Sequence, residues 1–524
     1  MSSIQRDPAR AARMDVIELG RHGLSAADIV AVARRDAPVL LTDDALAAMA
    51  QSAAVVAELA DSEESAYGVT TGFGSLALVR IPPERREELQ RALIRSHAAG
   101  MGDPIEREVV RGMMLLRART LAMGCSGTRP VVAQTLLEML NAGLTPVVPE
   151  YGSLGASGDL APLAHCALAL IGEGEVDCPD GVRRPATEAL ASAGIDPITL
   201  GPKEGLALVN GTDGMLAMLV LACDDFARLL RVADLTAAMS VEALLGTDRA
   251  YAADLLELRP QPGQAASAAN LQALLAQSEI VASHREGDPR VQDAYSLRCA
   301  PQVAGAGRDT LGHAETVAAA ELGAAIDNPM VLPDGRVESC GNFHGAPVAY
   351  VCDFLAIAAA DLGAIAERRT DRLLDPARSQ GLPPFLADDP GVNSGLMLAH
   401  YAQAAMVAEN RRLAAPASVD SLPTSAMQED HVSMGWGAAR KLRSSLANLT
   451  RILAVELTCA ARALDLRAPL RPGPGTAAAL AAVRARVEGP GVDRFLAPEL
   501  AAAEALAGSD ELLDAVAVAI GALR

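Results

Sequence analysis

GAPVAYVCDFLAIAAADLGAIA (345–366) reads as a helix without a wet face. Charge interrupts it only at Asp353 and Asp361. A helix that is apolar nearly all round has to be enclosed by other helices. Ala/Leu-rich stretches with helical patterns recur near 212–248, 303–325, 394–414 and 431–468. Several run past the ordinary ~8–20 residues, which predicts an extended bundle of long helices. Enclosing 345–366 on every side also predicts that copies of the chain share one core.

Composition agrees with a mainly α fold. Of 524 residues, 50% are hydrophobic but only 2% are aromatic. Ala and Leu carry the apolar content, whereas a β-sandwich would favour β-branched and aromatic residues. At ~150 residues per domain, the length suggests three or four domains. No internal repeat or low-complexity linker divides them. The expectation is therefore one functional unit in three stretches. Residues 1–14 are a disordered N-terminus, 15–205 a smaller mixed lobe, and 206–524 the long helices and C-terminal helices. Ser25 and Thr42 are expected to cap the first two helices.

Several function classes are excluded. The net charge of −20 argues against a nucleic-acid partner, which is held mainly by Lys and Arg. MSSIQRDPARAARM (1–14) precedes no apolar run, so no secretory signal is expected. No uncharged apolar stretch reaches ~20 residues, so no membrane span is expected. The eight cysteines form no CxxC, and Cys–His spacing fits no zinc site, so no metal is expected. They read as free thiols of a reducing cytoplasm.

Two stretches break the helical pattern. AYGVTTGFGSLALVRI (66–81) is too glycine-rich for a stable helix and reads as an ordered loop. PVVPEYGSLGASGD (146–159) leads into LAPLAHCALALIG, with Asp159 suited to cap the helix from Leu160. Its glycines do not spell a nucleotide loop. A plain Gly/Ser turn is the bland reading. The sharper one is chemical. In a tight bend the Gly158 nitrogen can reach the Ala156 carbonyl carbon, provided no Cβ obstructs it. Cyclisation and loss of water from Ser157 then give 4-methylideneimidazol-5-one (MIO). The helix beginning at Leu160 would direct its positive end towards that electrophile.

GSLGASGDLAPLAH (152–165) resembles the signature of the aromatic amino acid ammonia-lyase family, whose electrophile is MIO. YGVTTGFG (67–74), LVNGTDG (208–214), YSLRCAPQ (295–302), DNP (327–329) and GNFHGAP (341–347) resemble further family blocks, in family order. The resemblance covers roughly 15–500. It implies the helical, fumarase/aspartase-like architecture of these lyases and no external cofactor. It also implies a homotetramer whose active sites combine residues of several subunits.

The resemblance further implies roles for single residues. Ala156, Ser157 and Gly158 form MIO, and the substrate amine adds to it. Tyr67 takes the β-proton. Arg298 grips the substrate carboxylate, a task for a bidentate guanidinium. Tyr295, Asn210, Gln292 and Phe343 surround MIO and the substrate. Taken alone, Tyr67 reads equally well as a buried phenol, Arg298 as a surface cation, and the other four as packing residues.

Two positions speak to the substrate. Ser96-His97 and Gln428-Glu429 resemble the branch of the family that acts on histidine. An imidazole has two nitrogens to satisfy, and His97 and Glu429 can supply partners. A phenyl ring would leave Glu429 unmatched, at a cost large enough to discriminate. Without the resemblance, His97 reads as a core histidine and Glu429 as a helix-surface charge. The expectation is conversion of L-histidine to trans-urocanate and ammonia. A tyrosine-acting lyase, a 2,3-aminomutase and a non-catalytic scaffold of the same fold are the alternatives. Gly323 and Cys340 depart from the family pattern, where Asn and Gly are usual.

Overall fold

The computed structural model describes residues 16–62 and 66–524. The expectation for 1–14 lies outside them. The described chain is mostly helical, as expected. Its longest helices are Asp213–Ala243, Ala300–Leu322, Ala346–Leu374 and Gly435–Asp465. All eight cysteines are free thiols.

The chain forms two compact units. The first holds residues up to Leu221, Thr316–Tyr350 and Ala417–Ala439. Its core helix is Arg107–Ala122, buried at every position from Val109 onwards. The helices Ala26–Arg35, Asp43–Asp61 and Pro130–Asn141 pack around it. Three arginines on this helix are buried, and each has carbonyl partners. Arg111 donates to Val32 O at 3.0 Å and Leu140 O at 2.9 Å, in the last turns of two neighbouring helices. Those turns carry unpaired carbonyls and the negative end of the helix dipole. Burial still pulls the Arg111 guanidinium down to about 10.

The mixed character expected near the N-terminus is present as short strands. Ile17–Leu19 pairs in parallel with Val39–Leu41. Thr145–Pro146, Glu175–Asp177 and Arg183–Pro185 form a three-stranded antiparallel sheet. Ser25 caps the helix Ala26–Arg35 in a reciprocal box with Asp28. Thr42 precedes the helix Asp43–Asp61 without capping it. Its hydroxyl hydrogen-bonds Asp44 instead, so the first-turn carboxylate outcompetes the backbone for it.

The second unit holds Ala222–Glu315, Val351–Pro416 and Arg440–Arg524. Buried polar groups tie its helices together. Glu456 accepts from Thr236 at 2.7 Å, Ser240 at 2.9 Å and the Arg369 guanidinium. Asp234 accepts from Ser267, Asn270 and Arg308. Glu242 accepts from the Gly473 N–H at 2.7 Å.

The helix Ala346–Leu374 keeps an open side. It is not enclosed within one chain, because Tyr350, Phe354 and Ile357 are about half exposed. Spaced at four and three residues, they form one stripe along the helix. Among the described residues it is one of two helices long and apolar enough to cross a membrane by length and hydropathy. In the other, within Glu204–Ala243, the apolar window is wholly buried.

Burial pushes the Glu242 carboxyl up to about 7 from the usual 4.5. The native state therefore holds this proton more tightly than the unfolded chain between those two values. Stability falls as pH rises through that window. Glu242→Gln should remove about 3 kcal/mol of that fall, measured as denaturant stability against pH. An unchanged slope contradicts the assignment.

Candidate active site

The expected loop carries an unusual backbone. Ser157 and Gly158 adopt successive positive φ values of 50° and 79°. This is costly for serine and persists only where the surroundings impose it. The surroundings here are backbone. A Cβ on Gly158 would lie 2.1 Å from the Gly211 carbonyl oxygen. The Asp159 N–H donates to that same oxygen at 2.7 Å. Ala156 and Gly158 are buried, and Ser157 between them is half-buried. The bend thus has the small third residue that cyclisation into MIO requires, with a half-buried serine before it.

Asp159 differs from expectation. Its side chain does not cap the helix Leu160–Leu170 that it precedes. Its Oδ2 accepts from the Gly214 and Met215 N–H groups, both at 2.9 Å. These are first-turn donors of the helix Asp213–Ala243, so the carboxyl caps a helix distant in sequence. Ser153 donates to its other oxygen at 2.8 Å. Asp159 has no solvent exposure, and burial pushes its carboxyl up to about 7. On the far side of the loop, Ser433 donates to Gly155 O at 2.9 Å. Met434 N donates to Leu154 O at 2.7 Å.

A cavity of about 940 Å³ in the first unit gathers most of the expected residues. Tyr67, His97, Ala156, Ser157, Asn210, Phe343 and Glu429 line it, with Ser96, Gln428 and Cys340. Gln292, Tyr295 and Arg298 belong to the second unit and do not line it. There the Arg298 guanidinium lies 4.5 Å from the centre of the Tyr295 ring. Tyr295 is 72% exposed, and Arg298 Nε is buried without a hydrogen-bond partner.

Local structure sets each group. Tyr67 accepts the Gly74 N–H on its phenol oxygen at 2.9 Å, and Phe73 stands edge-on to its ring. Such a donor stabilises charge that develops on the oxygen as the proton leaves. His97 ends the helix Arg86–His97. Burial holds its imidazole below the usual histidine range, against the opposing pull of the Leu93 carbonyl and the Glu429 carboxylate. Glu429 is not on a helix surface. It forms a β-bridge with Thr424, whose hydroxyl donates to Glu429 Oε2 at 2.9 Å.

Asn210 is held by groups the sequence did not single out. Arg117 donates to Ala207 O at 3.0 Å, Asn210 O at 2.9 Å and Ile326 O at 2.9 Å. Lys203 and Asp327, both without solvent exposure, pair at 2.6 Å beside it. Cys340 fits without crowding, donating its N–H to Asn328 Oδ1 and its thiol to Asp327 O. Lys203 stands at the start of KEGLALV (203–209), and only its nearness to an apolar run hints at its burial.

The sequence profile of the aromatic amino acid lyases matches residues 24–485. The chain belongs to this family. Among curated relatives, histidine ammonia-lyase of Streptomyces avermitilis is 62% identical over 97% of this chain and all of its own length. That of Gloeobacter violaceus is 50% identical over 97% of this chain and 99% of its own. Among solved structures, histidine ammonia-lyase from Trypanosoma cruzi superposes with a TM-score of 0.89 at 38% identity. It covers 97% of this chain and 96% of its own. A tyrosine aminomutase from Streptomyces globisporus gives 0.91 at 37% identity, over 97% of this chain and all of its own. This lyase-family chain is thus like relatives acting on two different amino acids.

Gly158→Ala should disrupt the loop, since the added Cβ meets backbone at a left-handed position. A loss of at least about 2 kcal/mol in denaturant stability is expected. Stability unchanged within error contradicts the packing described.

Proposed function

We propose that this carbon–nitrogen lyase converts L-histidine to trans-urocanate and ammonia, the first step of histidine breakdown. One observation carries the choice of substrate. A half-buried Glu429, fixed by Thr424, shares with His97 the cavity into which Ser157 faces. His97, whose Nδ1 already meets the Ser96 hydroxyl at 3.1 Å, offers its other ring nitrogen, and Glu429 offers acceptor oxygens. An imidazole satisfies both, whereas a phenyl ring would strand the carboxylate. The high identity to curated histidine ammonia-lyases supports the same choice.

The chemistry divides among the residues as follows. MIO formed from Ala156-Ser157-Gly158 would supply an electron-poor alkene that holds the substrate's amine as a better leaving group and is restored when ammonia is released. His97 and Glu429 hold the imidazole and so orient the β-carbon. Tyr67 removes the β-proton, with the Gly74 N–H supporting the charge left on the phenol. As the Cβ–H bond breaks, its electron pair forms the Cα–Cβ double bond. The Cα–N bond breaks and its pair departs with the nitrogen. Asn210 and Phe343 line the space around the amine and ring. Arg298 pairs with the carboxylate, and Tyr295 and Gln292 complete that end.

These last three residues lie outside the cavity of the first unit. We assign them to the site through a homotetramer in which another copy contributes them. The half-exposed stripe Tyr350, Phe354 and Ile357 supports shared packing between copies. We assign the reaction to the cytoplasm, consistent with eight free thiols. Residues 15–205 and 206–524 act together as one functional unit.

Purified protein incubated with histidine should accumulate urocanate absorbance; turnover of tyrosine but not histidine overturns the substrate. Ser157→Ala should abolish turnover while leaving the fold intact, and its intact mass should lack the deficit of roughly 36 Da, two waters, carried by the parent. Glu429→Gln should lower kcat/KM for histidine about 100-fold with little effect on stability. Unchanged kinetics would remove Glu429 from the pocket.

A further inference from the structure

The buried pair Lys203–Asp327 has no place in the chemistry above. Lys203 Nζ donates to Asp327 Oδ2 at 2.6 Å and to Ser126 O at 2.8 Å. Neither side chain has any solvent exposure. Burying two charges is expensive, and an apolar pair of similar volume often stabilises a protein as well or better. Stability alone is therefore a weak account of this pair.

Its geometry suggests what it does. Asp327 Oδ1 accepts the Asn328 N–H at 2.7 Å and lies 3.4 Å from Asn210 Nδ2. Asn210 Nδ2 donates to Asn328 O at 2.9 Å. The two ends of an asparagine amide have nearly the same shape, so its orientation is set by its partners. Here the partners are a carboxylate and a carbonyl, and both only accept. A flipped amide would bring its oxygen against two other oxygens. Lys203 completes the selection. Its ammonium takes the other oxygen, Oδ2, which leaves Oδ1 facing the Asn210 amide. The outcome is visible in Asn210, which is 2% exposed and whose Oδ1 has no hydrogen-bond partner.

We infer that Lys203 and Asp327 are positioning residues that lock the Asn210 amide with Oδ1 left as an acceptor for the amine of the bound amino acid. The assignment rests on the histidine-lyase reading. A free amino acid of this kind carries donors only on its amine and its imidazole, and His97 with Glu429 takes the imidazole. An acceptor beside the Ser157 loop is therefore left for the amine.

The test measures histidine binding by calorimetry in the Ser157→Ala protein, where turnover is not expected. In that background Lys203→Met with Asp327→Val should weaken binding about 10-fold, and Asn210→Ala should do the same alone. All three changes together should weaken it no more than either set, because both remove one contact. With Ser157 restored, kcat/KM should fall in the same pattern while the mass deficit persists. Binding within about two-fold of the parent, or losses that multiply, overturns the proposal. If the Lys203/Asp327 variant does not fold, Lys203→Met alone goes through the same cycle. If neither folds, the pair is a folding element and the proposal fails. A parent protein that neither binds nor turns over histidine fails the substrate reading first, which separates the two.

Discussion

The buried carboxyl of Asp159 holds the active loop to the rest of the first unit. One residue after the tripeptide, it ties Ser153 to the first turn of the helix Asp213–Ala243. Its own N–H reaches back to Gly211. Through these bonds the loop that bears Ser157 and the turn that bears Asn210 become one rigid element. Burial raises the carboxyl to about 7, so the fold accepts an electrostatic penalty at this point. Charge-assisted bonds from two helix N–H groups are what offset it. The backbone of Gly211 leaves no room for a Cβ at Gly158, and Ser157 holds its strained φ of 50° in the same bend.

Around that element each polar group is fixed by a neighbour. Arg117 clamps the turn before Asn210 to Ile326. Thr424 fixes Glu429, and the Gly74 N–H fixes the oxygen of Tyr67. Such a site is organised before substrate arrives, which suits a reaction whose difficulty lies in removing a weakly acidic proton. In the second unit, the Glu456–Arg369 cluster gives the helices a comparable rigid core.

Signals in the sequence are legible where the physics is local. The long helices follow from Ala/Leu periodicity, and the Ser25 cap from a box that closes within three residues. The loops at 66–81 and 146–159 follow from glycine. Non-local partners were out of reach. Asp159 looks like a cap for the helix beside it, yet its carboxyl turns to a helix some fifty residues on. Thr42 looks the same and bonds Asp44, because no rule of spacing weighs a carboxylate against an N–H. The members of the cavity are legible only through the family blocks, since periodicity says nothing of which loops meet. Asp327 falls within the DNP block, but Lys203 carries little signal, because its charge looks ordinary until its burial is known.

The central claim is that this chain bends its own backbone into a reactive ring at Ala156-Ser157-Gly158. A high-resolution electron-density map of fully matured protein tests it most directly. The account predicts a closed five-membered ring, with bonded density between the Gly158 nitrogen and the Ala156 carbonyl carbon and a planar methylidene in place of the serine hydroxyl. Continuous density for an ordinary Ala-Ser-Gly tripeptide would contradict it.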